Sequence, residues 1–286
     1  MISIDSGALC LLVDPAAGGS VAALEWRGLP LLRRQRAPGV LNSGCFPLVP
    51  FSNRIARSTF RFGGRNIALP PNHPDNPDEP AMHGLGWREA WTVADRQDDR
   101  LHLSLAMDAG AWPWAFTAEQ TFVLDGDSAR FTLAITNRAD TPMPAGLGFH
   151  PFFPRTPLTR LNALHRGEWQ VDARRLPTVL DLRADAIDWW HGQAAASRTV
   201  DTVYEQRRGP ISILWPEQRL GLTMTPDDDL SCTVVYVPPD SDFLCAEPVS
   251  HMTDSLNRAG TGTGMRVLAP GERWQVAIGL TPFNML

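Results

Sequence analysis

His83, His150 and Glu247 are the side chains of this chain best suited to moving protons. Each stands in a short, unusual segment: Met82-His83-Gly84-Leu85-Gly86-Trp87, Gly148-Phe149-His150-Pro151-Phe152-Phe153 and Cys245-Ala246-Glu247-Pro248. An imidazole changes charge close to neutral pH. A carboxyl group among Cys245, Ala246 and Pro248 has an apolar setting that raises its proton affinity toward the range where a base works. His150 and Glu247 both precede proline, which drives the preceding residue into extended backbone. Because proline donates nothing to a ladder, both dipeptides are expected where a strand ends or lies at a sheet edge, facing a cleft.

The elements that must carry these residues read as strands from one end of the chain to the other. Leu101, Leu103, Leu105 and Met107 alternate with His102, Ser104 and Ala106, and Phe131, Leu133 and Ile135 alternate with Thr132, Ala134 and Thr136. Leu220, Leu222 and Met224, then Trp274, Val276, Ile278 and Leu280, repeat the period of two that one buried sheet face requires. Helix signals are confined to short stretches, Thr253 to Ala259 ending at Gly260 and Ala184 to Trp190. Glycine and proline are spread along the chain and mark no linker; the densest loop, Pro70 to Pro80, ends just before His83. The expectation is an all-β fold, one large antiparallel β-sandwich domain over residues 1–286 with few short helices. No G-x-G-x-x-G or P-loop motif offers a nucleotide cradle.

Composition narrows the function classes. The formal net charge of −5 supplies no basic face for nucleic acid. The longest apolar runs, such as Ala8 to Val13, fall far short of a membrane span, and Asp5 stands where a secretory leader would carry basic residues. All 26 basic residues are arginine, which excludes a Schiff-base lysine. Cys10, Cys45, Cys232 and Cys245 form no C-x-x-C pair, and a reducing cytoplasm fits them best.

An ordered series of segments resembles the aldose 1-epimerase, or mutarotase, family with its galactose mutarotase-like fold, over almost the whole chain. The series runs Pro47-Leu48-Val49-Pro50-Phe51-Ser52-Asn53-Arg54-Ile55, Phe60-Arg61-Phe62-Gly63-Gly64, His83-Gly84, Pro144 through Phe153, and Glu247-Pro248. The resemblance implies a free aldohexose as substrate, Glu247 as base and His150 as acid, with no cofactor and no metal. It also implies that Arg54 and His83 hold sugar hydroxyls, and that an aspartate accepting from hydroxyls lies between His150 and Glu247. Asp201, at the head of Val200-Asp201-Thr202-Val203-Tyr204, fits that interval, whereas Asp227, Asp228 and Asp229 read as a solvated turn. Asn53 is expected to satisfy backbone in a turn and to assist orientation. Ten tryptophans against two tyrosines invite sugar stacking, with Trp87 the first choice and Trp112 and Trp114 next.

Departures from the family pattern keep other readings open. Ile55-Ala56-Arg57 replaces a glycine-containing turn, and the His83 segment lacks a doubled glycine. A hexose-6-phosphate 1-epimerase would need further cations, for which Arg57, Arg61 and Arg65 are available. A non-catalytic carbohydrate-binding module would keep the scaffold alone. A glycoside hydrolase pairing Glu247 with Asp201 needs a defined carboxylate separation, and a metal-dependent cupin lacks its H-x-H pair. The partner in every favoured case is a small monosaccharide.

Overall fold

The alternating runs do form strands. Leu101, Leu103, Leu105, Phe131, Leu133, Ile135, Leu220, Leu222, Met224, Trp274, Val276, Ile278 and Leu280 are all buried, because a period of two lets one face of a pleated strand leave water entirely. The computed structural model describes residues 1–182, 189–258 and 264–285. It consists of two large antiparallel sheets and two small two-stranded ones, one of them a hairpin.

The first large sheet has eleven strands. Its order is Ile2–Ser6, Leu9–Asp14, Ser20–Trp26, Cys45–Leu48, Gly148–Pro154, Phe243–Val249, Cys232–Val237, Val200–Glu205, Gly167–Val171 and Pro177–Asp181, with Leu29–Pro30 added beside Ser20–Trp26. The second has nine, running from Gln193–Ala194 through Arg160–Leu164, Arg208–Trp215, Leu220–Pro226, Arg273–Asn284, Ser128–Asn137, Phe116–Asp125 and Arg100–Met107 to Thr92–Arg96. Met143–Ala145 pairs with Arg266–Leu268, and Thr59–Phe62 with Arg65–Ala68. This is the expected β-sandwich. Among the described residues helical structure is limited to three-residue 3₁₀ turns. The helix expected from Thr253 is one of these, Ser255–Asn257, while Ala259 and Gly260 lie outside the described residues. Of the stretch from Ala184 to Trp190 only Trp189 and Trp190 are described, and they form a turn.

The central strands of the first sheet are buried on both faces, and alternation sorts their side chains. Phe149, Phe153, Leu244, Ala246, Val235 and Val237 enter the core shared with the second sheet. Phe46, Phe152, Cys245, Val249, Val234 and Val203 form a separate apolar cluster on the opposite face. That opposite face carries the polar groups of interest.

The prolines overturn one expectation. Pro151 and Pro248 lie within Gly148–Pro154 and Phe243–Val249, two adjacent strands in the middle of the eleven-stranded sheet and not at its edge. The sheet accommodates them by interrupting the ladder. Gly148 pairs with Val249 and pairing resumes at Phe152 with Cys245, with none at residues 149–151. Local loss of pairing replaces the edge position as the way to tolerate a missing N–H.

Candidate active site

The interrupted ladder sets His150 beside Glu247. Since Gly148 stands opposite Val249 and Phe152 opposite Cys245, His150 and Glu247 face each other between those pairs and project from the same face. His150 Nε2 lies 3.3 Å from Glu247 Oε1, although the two residues are 97 positions apart in sequence. The imidazole packs against two phenyl rings, Phe46 at 4.4 Å and Phe152 at 4.6 Å between centroids, which also meet each other at 6.0 Å. Phe46 is its cross-strand partner and Phe152 follows on the same face of its own strand. Arg33 in turn covers Phe152 at 3.9 Å.

Both groups are buried, and burial acts on them in opposite directions. Loss of hydration pushes the Glu247 carboxyl well above its ordinary value, helped by the negative charge of Asp201 and opposed by Arg54. The same cause lowers the His150 imidazolium to about 3. Neutral Glu247 with neutral His150 holds the same single proton as carboxylate with imidazolium, and a low-dielectric setting favours the uncharged arrangement. Among the described residues Glu247 Oε2 and His150 Nδ1 have no hydrogen-bond partner.

His83 reaches the same place through a different construction. Its segment is zipped to residues 49–54: the His83 N–H donates to the Asn53 carbonyl, Leu85 and Gly86 donate to the Val49 carbonyl, and Arg54 bridges to Met82. Gly84, at φ +72°, is required here, because a Cβ would sit 2.1 Å from the Val49 oxygen. The His83 ring lies 5.0 Å from that of His150, edge to face. Its Nδ1 accepts from the Asn53 N–H at 3.3 Å, and burial holds the ring neutral by pushing its proton affinity well below 6.5. The remaining hydrogen therefore belongs on Nε2, making His83 a donor.

Four charges form the rim. Arg54 Nε donates to Glu79 Oε2 at 3.1 Å, and Arg54 Nη2 lies 3.8 Å from Asp201 Oδ2. Arg175 approaches the same two acids, with Nε 3.0 Å from Asp201 Oδ2 and Nη1 3.9 Å from Glu79 Oε1. Burial raises the Asp201 carboxyl's proton affinity, and the two guanidinium groups partly offset this. Asn53 Oδ1 accepts from the Arg54 N–H at 2.8 Å and from Arg54 Nη1 at 3.2 Å, so it holds the arginine in place as well as lining the site.

These residues enclose a cavity of about 360 Å³, lined by His83, His150, Glu247, Arg54, Asp201 and Asn53 among others. That volume is within the range of small-molecule sites. Six of the seven side chains anticipated from the sequence thus converge. The seventh, Trp87, does not. It is fully buried and outside the lining, stacked on Phe46 at 5.5 Å and edge-on to His83 at 5.8 Å. It supports the histidine from behind, because the 3₁₀ turn Gly86–Arg88 directs its ring into the apolar cluster. Trp112 and Trp114 are likewise buried away from this cavity.

Sequence reading passed over Glu79, Arg175 and Tyr236, which also line the cavity. Glu79 lies in the proline-rich loop already singled out, and Tyr236 is the cross-strand partner of Asp201. Arg175, in the turn after Gly167–Val171, has no local signal. A larger neighbouring cavity of about 640 Å³ shares Asn76, Glu79 and Arg175 with the first and adds Arg57 and Arg174. Arg61 and Arg65 are exposed on a hairpin and line neither cavity. No helix among the described residues is long and apolar enough to cross a membrane.

Comparison with known proteins supplies an independent line. A model of the aldose 1-epimerase family matches residues 1–281. The chain is 31% identical over 279 residues to YphB of Escherichia coli K12, a protein of uncharacterised function, covering 92% of each. A crystal structure from Escherichia coli K12, of a protein provisionally assigned as an aldose 1-epimerase, superposes with a TM-score of 0.91 at 28% identity, covering 99% of this chain and 98% of that one. A galactose mutarotase-like protein from Clostridium acetobutylicum superposes with a TM-score of 0.88 at 20% identity, covering 99% and 95%.

Proposed function

The chain belongs to the aldose 1-epimerase family, and we propose that within it the protein interconverts the α and β anomers of a free aldohexose, acting as one domain over residues 1–286. The observation that carries this reading is the 3.3 Å approach of His150 to Glu247 at the wall of a cavity of monosaccharide size. Opening a pyranose takes a proton from the anomeric hydroxyl and delivers one to the ring oxygen. Glu247 as carboxylate accepts the first, and His150 as imidazolium gives the second. The pair then holds its proton on the carboxyl group and the imidazole is neutral. This is the arrangement that burial favours, so the site stabilises the protonation state that accompanies the open-chain aldehyde.

Rotation about the C1–C2 bond presents the other carbonyl face, and the same two transfers in reverse close the ring as the opposite anomer. His83, donating through Nε2, and Arg54 hold hydroxyls and the ring oxygen, while Asp201 accepts from hydroxyls. Glu247 Oε2, buried and without a protein partner, is suited to a sugar hydroxyl. A sugar donor there, with Arg54 nearby, favours the carboxylate form needed to begin the cycle. The four free cysteines accord with a reducing cytoplasm.

The neighbouring cavity with Arg57 and Arg174 supports a second reading, a hexose-6-phosphate 1-epimerase. Polarimetry on freshly dissolved α-glucose, α-galactose and α-glucose 6-phosphate, corrected for spontaneous mutarotation, separates the two. The expected result is faster equilibration of a free sugar with an unchanged final rotation. A strong preference for the phosphate supports the second reading. Sugar binding without any acceleration leaves a carbohydrate-binding module.

A further inference from the structure

Cys245 completes a cluster that proton transfer does not use. Its thiol projects from the same strand face as Glu247, two residues along, and opposite Phe152. The Cys245 sulfur, an imidazole nitrogen of His150 and a carboxylate oxygen of Glu247 all lie within 4.8 Å of one another, and all three residues are buried. One nitrogen–oxygen separation is already 3.3 Å, the roughly 3.3 Å expected between tetrahedral ligands held at about 2.0 Å each. Only the thiol has to draw in. Glu247 Oε2 and His150 Nδ1 are buried with no partner among the described residues, so the cluster keeps polar capacity there.

We propose that Cys245, His150 and Glu247 form a binding site for a soft or borderline divalent cation, zinc in the first instance, and that the ion excludes the sugar. Thiolate and imidazole select zinc or cadmium over magnesium and calcium, which require several oxygen ligands. A dication with a thiolate, a carboxylate and a neutral imidazole has no net charge, which suits a site closed to water. The acidic ligands release protons as they bind, so affinity rises with pH. His150 and Glu247 line the cavity, and Cys245 is buried outside its lining. The exclusion of sugar rests on the function proposed above, whereas cation binding itself does not.

The test therefore begins with binding to the intact protein. Calorimetry with zinc should show one equivalent bound. Cobalt substituted for zinc should give a tetrahedral visible spectrum and a near-ultraviolet thiolate-to-cobalt band. Cys245→Ser and Cys245→Ala should both lose that band and bind zinc more than about 100-fold more weakly, beyond the range for loss of a ligand's hydrogen-bonded support, while Cys45→Ser keeps the band. Where anomer interconversion is measurable, zinc should inhibit competitively with sugar, a chelator should restore the rate, and the Cys245 variants should keep their rate in zinc. Wild-type protein lacking the thiolate band, or Cys245 variants with unchanged zinc affinity, would overturn the proposal. A protein with the band but no epimerase activity upholds the cation site and overturns the function instead.

Discussion

Two buried clusters in this molecule draw on the same residue types, each with an imidazole Nδ1 left unpaired among the described residues, and differ in how the carboxyl group is matched. One is His150 with Glu247. The other lies toward the far edge of the same sheet, where Glu168 is matched bidentately by Arg198, Arg198 also donates to Tyr204, and His165 bonds Thr233 at 2.9 Å. Glu168 and Glu247 are equally buried, at 1% and 2% exposure, and the imidazoles of His165 and His150 are both lowered to about 3 by desolvation. Burial and altered proton affinity therefore do not separate a working group from a structural one. What separates them is counter-charge and access. Glu168 is matched bidentately by a permanent cation, whereas the ion-pair partner of Glu247 is an imidazole at the wall of a cavity.

Substitution is the sharpest way to break this comparison. Glu247→Gln and His150→Asn should each lower kcat by about two to four decades with little change in KM, read by single-turnover or steady-state polarimetry. Glu247→Gln should also raise stability at neutral pH, because it removes a buried group whose ionisation is costly. Glu168→Gln should do the reverse. It should cost about 1–3 kcal/mol in a denaturant titration, less than a fully buried pair because Arg198 is partly exposed, and leave kcat per folded molecule unchanged.

Acid should affect the imidazoles of both clusters with the same sign, while the raised Glu247 carboxyl beside His150 works in the opposite sense and offsets the loss there. His150 and His165 are lowered to about 3 and His251 to about 4, below the 6.5 of the unfolded chain. Their contribution is intact above pH 6.5 and is lost as pH falls from there toward 4 and 3, amounting to about 2 kcal/mol per group at pH 5. Comparing denaturant midpoints of wild type and His165→Gln at pH 7.5 and pH 5 checks this. The variant should lose about that much less on acidification, with an unaltered pH profile of kcat. The smallest effect belongs to the rim: with Asp201 in the proposed role of orienting the sugar, Asp201→Asn should raise KM by about tenfold while kcat changes less, since Arg54 and Arg175 lose a shared charged partner.

The sandwich was legible in the sequence because a period of two has a single physical cause, one face leaving water, and Leu101 to Met107 or Trp274 to Leu280 state it without ambiguity. His150, Glu247, His83 and Arg54 were legible for another reason. They stand in the ordered segments that resemble the aldose 1-epimerase family, and one of these, His83-Gly84, is also held by the backbone, since a Cβ on Gly84 would meet the Val49 oxygen. Side chains whose role arises only on folding left no such trace. Arg175 matters because it meets Asp201 and Glu79 from a turn, and nothing in Asp172-Ala173-Arg174-Arg175 encodes that encounter. Trp87 misled because proximity in sequence to His83 places it behind the histidine and not beside the cavity. Pro151 and Pro248 misled because a missing N–H can be absorbed by a gap between two central strands as well as by an edge.

In the proposed reaction one proton shared by His150 and Glu247 opens and closes a sugar ring, and anomeric exchange at equilibrium reports on it directly. Two-dimensional NMR exchange between the α and β C1–H signals of glucose or galactose, recorded with catalytic amounts of protein, should show cross-peaks that grow with enzyme concentration and vanish for Glu247→Gln and for His150→Asn. Exchange that persists at the wild-type rate in either variant would contradict the account.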